Sequence, residues 1–321
     1  MEVAMEPDVP GTIRPVPDVV LDNITTILDD TAVMHRLWLE IPAGRVTVLM
    51  GPSGVGKTTL IKHVVGLLEP DGGTVRIDDR DIWDSSPDEW KDIRKGMSAM
   101  LGGSYLFSTS TFSSMTVLEN LTYSLEVHGV PAELRHNRAM ARLAELDLLD
   151  HVDRKPEELP AHATKRLALA RALVADAPFT VLDEIDLGLD GQHSAMMLDA
   201  VRGLRERTNC TLLVTTHNLE LARRLADNLA IMVNGRIVAH GPPHEVLHGI
   251  ETTDDFDARF EFSDYTGPPR LDEAEASAER RRPPAVKPKS WFGVDPQWTW
   301  IALVAILVIV AFLLVARVGL F

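Results

Sequence analysis

One eight-residue stretch of the chain has the residue types and the spacing of a phosphate-binding loop. Residues 51–58 read Gly-Pro-Ser-Gly-Val-Gly-Lys-Thr, which fills every fixed position of the pattern G-x-x-x-x-G-K-[ST]. Glycines let consecutive backbone N–H groups turn inwards around a phosphate. The Lys57 ammonium can reach the β- and γ-phosphates of a nucleotide, and the Thr58 hydroxyl can ligate Mg²⁺. The pattern therefore predicts a site for a nucleotide and Mg²⁺.

The predicted nucleotide-binding residues form one continuous run that leads from the loop into the next element. They are Gly51, Pro52, Ser53, Gly54, Val55, Gly56, Lys57, Thr58 and Thr59. Before them, residues 46–50 form a short apolar run rich in β-branched residues, and after them residues 59–65 can open a helix. A strand, a loop and a helix in this order are the context in which such a loop binds phosphate.

Two carboxylates and a histidine follow two further apolar strands. The strand predicted over residues 178–182 ends in Asp183, which would hold Mg²⁺ directly or through a water, and in Glu184, which would polarise the attacking water. The strand predicted over residues 211–216 ends in His217, which can donate a hydrogen bond to the γ-phosphate. Two acids after a strand also fit a solvated loop, and a lone histidine is usually structural. The catalytic interpretation of Glu184 and His217 therefore depends on the phosphate loop.

The composition is that of a folded, acidic protein. A chain of 321 residues with 45% hydrophobic and 25% charged residues predicts about two domains. The formal net charge of −15 argues against nucleic acid as a partner, because binding a phosphate backbone needs clustered Lys and Arg. The single cysteine, Cys210, excludes a disulfide framework and fits a reducing compartment.

The chain changes character along its length. Residues 1–17 contain four prolines and no apolar stretch, which predicts a disordered tail and not a signal peptide. Residues 18–250 begin with strand-like patterns and include a helix-like insert over residues 114–150. Residues 251–279 carry ten acids against two arginines, and we interpret residues 251–297 as a charged, proline-containing linker.

A long apolar segment follows that linker. Residues 298–316 are nineteen consecutive residues without a charge, and as a helix they would span roughly 28 Å. They are apolar on every face, which favours a transmembrane helix over a buried core helix. Basic residues are clustered before the segment, and only Arg317 follows it, which predicts that the N-terminal side faces the cytoplasm. The sequence therefore predicts a single-pass protein of the cell membrane with a cytoplasmic nucleotide-binding domain.

The strand ends described above, taken in this order, resemble those of the nucleotide-binding subunits of ABC transporters over residues 18–250. Residues 167–173 look like the helix after the family's signature, residues 188–190 like its D-loop and residues 215–220 like its switch-histidine region. The resemblance implies an α/β fold, a P-loop NTPase (RecA-like) core with β-rich and helical subdomains. It also implies a transmembrane permease as partner, and a homodimer or heterodimer of ATP-binding subunits that closes head to tail over two ATP molecules.

Three departures from the family pattern affect the implied activity. Where L-S-G-G-Q is expected, residues 159–163 read Leu-Pro-Ala-His-Ala, and Pro160 offers neither a side-chain donor nor an N–H to a partner's γ-phosphate. Gly102 stands where the family has the glutamine of its Q-loop. No Phe, Tyr or Trp occurs between residues 11 and 37, so we expect Leu28 to pack on the base. The composite site that uses this signature is expected to be slow or inactive.

Two functions remain open at this point. The first is an ATP-hydrolysing transporter subunit that needs a partner with an intact signature. Residues 114–121 resemble the corresponding phrase of Mla and Mce lipid-transport systems, which implies a lipid substrate. The second is a membrane-anchored regulatory or scaffolding protein that binds ATP with little or no hydrolysis. Glu184 and His217 favour the first function, and the altered signature favours the second.

Overall fold

The computed structural model describes residues 16–102, 110–185, 191–263, 265 and 267, all within one compact unit, Met1–Ala274. Four predicted features fall wholly or mostly outside these residues. They are the tail over residues 1–17, the D-loop residues 188–190, the greater part of the linker over residues 251–297, and the membrane-spanning segment over residues 298–316.

The strands of the described residues form two sheets. In chain order they are β1 (Val19–Leu28), β2 (Thr31–Ile41), β3 (Val46–Met50), β4 (Gly72–Ile77), β5 (Arg80–Asp81), β6 (Met97–Met100), β7 (Phe179–Leu182), β8 (Thr211–Thr215), β9 (Asn228–Val233) and β10 (Arg236–Gly241).

The first sheet is antiparallel, with the strand order β2-β1-β4-β5. Along β1, buried and accessible side chains alternate over much of the strand, and Val19, Leu21 and Ile24 are fully buried. This pattern arises where one face of a strand packs on a core and the other faces solvent. The β-rich part predicted before the phosphate-binding loop is confirmed.

The second sheet has the order β10-β9-β3-β8-β7-β6, and all its neighbouring strands run parallel except β10 and β9. Every residue of β3, β7 and β8 is buried. Elements cover both faces of such a sheet, which is why these strands are nearly continuous apolar runs. Since parallel strands end at the same edge, the segments after β3, β7 and β8 lie together.

The helices of the described residues pack on these sheets and form a separate helical layer. In chain order they are α1 (Lys57–Val64), α2 (Pro87–Lys95), α3 (Ser110–Ser114), α4 (Val117–Val127), α5 (Ala132–Glu145), α6 (Ala161–Leu173), α7 (Gly191–Thr208), α8 (Leu219–Leu225), α9 (Pro243–Val246) and α10 (Thr253–Phe260).

The helical insert predicted over residues 114–150 is confirmed. It contains α4 and α5, which pack against α6 through Leu121, Leu143 and Leu167, all fully buried in one core. The start of α4 is fixed by a capping box, in which the Thr116 hydroxyl accepts from the backbone N–H of Glu119 and the Glu119 carboxylate accepts from that of Thr116. Such a cap satisfies N–H groups that a helix leaves without partners.

The folded part extends beyond the boundary predicted at residue 250. Instead of a linker, residues 253–260 form α10, which begins with a capping box between Thr252 and Asp255. Phe256 of this helix is 3% exposed and belongs to the same core as the helical insert. Although the segment is acidic, it forms a helix with one apolar face.

Within the described residues, none of the helices has the length and apolar composition needed to cross a membrane.

Candidate nucleotide-binding site

The loop between β3 and α1 adopts backbone conformations that require glycine. Gly54 and Gly56 have φ angles of +78° and +109°, in the left-handed region that L side chains rarely adopt. A Cβ on Gly56 would also lie 2.9 Å from Val33 Cγ1. The helix α1 begins at the next residue, and Gly56 has no side chain to cap it. Its first N–H groups therefore remain to bind an anion.

Lys57 is the buried cation of the site. It is 5% exposed, and its Nζ donates to the carbonyl oxygens of Gly51 at 2.8 Å and Pro52 at 3.0 Å. Burial lowers the pKa of this ammonium to about 8, although the charges of Glu184 and Asp183 act in the opposite direction. An ammonium has three N–H donors, so one is available to a phosphate in this structure, and exchanging one carbonyl contact for a phosphate oxygen would supply a second.

ATP affinity is expected to fall as the pH rises through about 8, because only protonated Lys57 attracts phosphate. Well above that pH, each further unit costs about tenfold in apparent affinity. The stability of the fold has the opposite pH dependence. Since the pKa is lowered from 10.5 to about 8, the folded chain binds fewer protons in that window, and this group's contribution to stability rises with pH. Equal ATP binding at pH about 7 and about 9.5, in a folded chain, would contradict this assignment.

Thr58 and Asp183 present two oxygen atoms to one point of the site. The Thr58 hydroxyl donates to Asp183 Oδ2 at 3.0 Å, and Asp183 is fully buried. Hydroxyl and carboxylate oxygens suit Mg²⁺, which commonly takes one or two protein ligands and completes its shell with water and phosphate oxygens. Among the described residues no group of three or more His, Cys, Asp or Glu could hold a metal alone. The pair therefore fits Mg²⁺ that arrives with a nucleotide.

Glu184 lies at the end of β7 in a strained conformation. Its φ is +51°, a region that costs a residue other than glycine about 1–3 kcal/mol and that is concentrated at active sites. Glu184 Oε1 lies 3.7 Å from His217 Nε2, and both side chains are partly accessible. The structure thus brings the two predicted catalytic residues together beside Asp183, while their roles in catalysis stay predictions.

Thr215, which the sequence did not single out, connects the Asp183 carboxylate to the backbone of Glu184. Its hydroxyl donates to Asp183 Oδ1 at 2.6 Å and accepts from the backbone N–H of Glu184 at 2.8 Å. The available signal was a hydroxyl at the end of a buried strand, two residues before His217. Thr215 fixes the orientation of the predicted metal ligand and the backbone of the predicted base.

Gly102 lies directly beside the two carboxylates. Its backbone N–H donates to Asp183 Oδ2 at 3.3 Å. A Cβ at this position would lie 3.2 Å from both Asp183 Oδ2 and Glu184 Oε2. The residue found where a glutamine is expected therefore contacts the predicted metal ligand through its backbone, and a side chain there would press on both carboxylates.

The altered signature is followed directly by the helix α6. Pro160 precedes α6 with φ −65° and ψ 153°, and its carbonyl oxygen accepts from the N–H groups of Ala163 at 2.9 Å and Thr164 at 3.0 Å. The His162 ring packs on His193 of α7, with 4.7 Å between ring centroids. Pro160, and His162 with its ring packed on another helix, thus replace the small hydrogen-bond donors of the signature.

Leu28, the side chain predicted to pack on the base, ends β1 and is 43% exposed. It is accessible to a ligand, and its contact with a base stays a prediction.

The comparisons with known proteins agree with this geometry. Residues 34–186 match the family model described as ABC transporter. The chain is 33% identical over 228 residues to the protein mkl of Mycobacterium tuberculosis, named as a ribonucleotide transport ATP-binding protein, covering 71% of this chain and 62% of mkl. It is 31% identical over 223 residues to MK0182 of Methanopyrus kandleri, named as an ABC transporter ATP-binding protein, covering 70% of this chain and 80% of MK0182.

A solved structure supports the same fold. It is the dimeric, post-hydrolysis ATP-binding cassette MJ0796 bound to ADP and Pi, and it matches with a TM-score of 0.63 and 26% identity. The match covers 70% of this chain and 98% of MJ0796. The chain spans less than two thirds of the length of mkl, so part of mkl lies outside the match.

Proposed function

Because the chain belongs to the ABC transporter family of ATP-binding proteins, we propose that it binds ATP with Mg²⁺ and hydrolyses the ATP to drive transport through a transmembrane permease. One observation carries the proposal. The loop with Lys57, the carboxylates of Asp183 and Glu184, and His217 meet at one edge of a parallel sheet. These groups are the ones that a single chain can supply to bind a triphosphate and to position a water at its γ-phosphate.

Each side chain has a defined part in this mechanism. Lys57 donates to the β- and γ-phosphates, and Thr58 and Asp183 hold Mg²⁺. Bound Mg²⁺ supplies neutralisation of the phosphate charge. The Glu184 carboxylate accepts a hydrogen bond from the attacking water, and His217 donates to the γ-phosphate. The Thr215 hydroxyl fixes the Asp183 carboxylate and the backbone of Glu184.

We propose that a second ATP-binding subunit completes the site. The head-to-tail dimer implied by the family resemblance places the signature of one subunit against the nucleotide of the other. A partner with an intact signature would make the loop of this chain a working site, and Pro160 would leave the opposite site without its donor. A homodimer would contain the altered signature twice and hydrolyse ATP slowly.

A second candidate function is favoured by Pro160 itself. Since this residue lacks both an N–H and a side-chain donor, a chain that pairs only with itself would bind ATP and hydrolyse little of it. Such a protein would act as a nucleotide-gated regulatory or scaffolding subunit at a membrane complex.

We further propose that residues 298–316 anchor the protein in the cell membrane and leave the nucleotide-binding domain in the cytoplasm. The uncharged length of the segment and the basic cluster before it support this proposal.

A lipid substrate is proposed from the phrase over residues 114–121 alone. In the structure this phrase also has a structural use, because Thr116 and Glu119 cap α4. The Asn120 amide donates to the carbonyl oxygens of Phe112, Met115 and Thr116. The phrase thus builds the start of a helix, and transport measurements with candidate lipids must test the substrate.

Restoring the signature hydroxyl with Pro160→Ser is expected to raise ATP hydrolysis of the full-length chain. A hydrogen bond to a charged group contributes about 1.5–3 kcal/mol, which corresponds to roughly ten- to a hundredfold in rate. Pro160 is exposed and its backbone angles suit serine, so the fold should tolerate the change. Steady-state phosphate release is measured for the wild type, Pro160→Ser and the control Pro160→Ala, which adds no hydroxyl.

Three outcomes, read together with ATP binding by the same samples, test the effect of Pro160 and the proposed function. An increase in Pro160→Ser alone supports hydrolysis limited by the signature. A wild type that already turns over as fast as Pro160→Ser contradicts the proposed effect of the proline. A chain that binds no ATP in any form contradicts the proposed function.

A further inference from the structure

The segment after α10 is fixed to the folded unit by aromatic packing. The rings of Phe256 and Phe260 lie 4.9 Å apart between centroids, and those of Phe256 and Phe262 lie 5.0 Å apart. Phe256 is buried in the core, and the other two rings are partly buried against the same core. Burial of these rings therefore stabilises the position of the chain just beyond α10, at Phe262.

Polar contacts follow at the end of α10. Glu261 ends α10 with φ +56°, a left-handed helix end. The backbone N–H of Ser263 donates to Asp257 Oδ1 at 2.7 Å, and the backbone N–H of Tyr265 donates to the Phe262 carbonyl at 3.3 Å. These contacts set the position of Tyr265 through hydrogen bonds within its own segment.

Tyr265 reaches the phosphate-binding loop. Its hydroxyl donates to the carbonyl oxygen of Gly54 at 3.3 Å, a contact between residues 211 positions apart. Its ring packs on the core that contains Val55 of the loop. Partial burial raises the pKa of the phenol, which keeps the hydroxyl protonated as a donor.

The contact matters because of how such a loop binds phosphate. Its N–H groups point inwards to the anion, so its carbonyl groups point away from the anion and bond to other protein groups or to water. Lys57 serves the carbonyls of Gly51 and Pro52, and Leu60 donates to that of Gly56. The carbonyl oxygen of Gly54, in the middle of the loop, accepts from a residue outside the loop, Tyr265.

We propose that Tyr265 is a positioning residue for the nucleotide site, in which its hydroxyl holds the Gly54 carbonyl outwards and so keeps the loop in the phosphate-binding conformation. Tyr265 thereby becomes part of the ATP site. This inference rests on the proposed function, since it assumes that the loop binds MgATP. It assigns to Tyr265 an effect on nucleotide affinity that acts through the conformation of the loop.

The test compares Tyr265→Phe with Tyr123→Phe in the full-length chain. Both variants lose one phenol hydroxyl, and Tyr123 lies on α4, where its ring contacts Phe112. Two quantities are measured, the Kd for MgATP and the rate of amide hydrogen exchange of residues 51–58 without nucleotide. A net hydrogen bond of ordinary strength predicts Kd about three- to tenfold higher and loop exchange faster by a similar factor in Tyr265→Phe only.

Each outcome decides a separate point. Unchanged loop exchange in Tyr265→Phe would overturn the inference, and so would unchanged or tighter MgATP binding in a chain whose wild type binds MgATP. A wild type that does not bind MgATP would overturn the proposed function, while the exchange comparison would still show whether Tyr265 fixes the loop. Equal thermal unfolding of both variants excludes a general loss of stability as the cause of a raised Kd.

Discussion

Replacing Glu184 by glutamine is expected to lower ATP hydrolysis by about two to four orders of magnitude and to leave MgATP binding nearly unchanged. The amide has the shape of the carboxylate but cannot take up a proton from the attacking water. Glu184 is held by a backbone hydrogen bond to Thr215, which the substitution does not touch. The positive φ of residue 184 is equally available to glutamine.

The measurement is steady-state phosphate release together with the Kd for MgATP on the same samples. The matched control is Glu220→Gln, an exposed glutamate in the first turn of α8, three residues after His217. Hydrolysis that survives in Glu184→Gln at the level of the control would remove Glu184 from the mechanism. Loss of binding in Glu184→Gln alone would instead assign to this carboxylate a role in holding the nucleotide or its Mg²⁺.

The second large effect is expected from Lys57→Met, which should weaken ATP binding by about a hundredfold or more. The variant loses charge-assisted hydrogen bonds to two phosphates, each of which contributes about 1.5–3 kcal/mol. The methionine side chain fills much of the volume of the lysine stem. Because burial disfavours the charged form of Lys57, the nucleotide-free variant is expected to unfold at a temperature no lower than the wild type.

Equilibrium ATP binding and thermal unfolding test this prediction together. Lys91→Met, an exposed lysine of α2, is the control for loss of a positive charge. ATP binding retained within about threefold of the wild type would contradict the assigned role of Lys57. A variant that unfolds well below the wild type would show that the two carbonyl contacts of Lys57 also stabilise the empty loop.

The sequence by itself determined the predicted residues of the site and the type of fold. Residues 51–58 are a local motif, in which the glycine backbone and the lysine and threonine side chains themselves supply the binding groups. The strands before Asp183 and His217 are visible as apolar runs, because a parallel sheet is covered on both faces. Once those strands are parallel, their carboxyl ends must share one edge, so the proximity of these groups follows from the pattern.

The tertiary structure decided what depends on contacts between distant segments. Thr215 orients Asp183 from another strand, and a hydroxyl at a strand end gives no sign of its partner. The acidic residues around Phe256 hid the apolar face of α10, whose burial shows only when the helix packs on the core. Tyr265 reaches Gly54 across 211 positions. Local periodicity carries no information about such a contact, because packing of the intervening chain brings the two groups together.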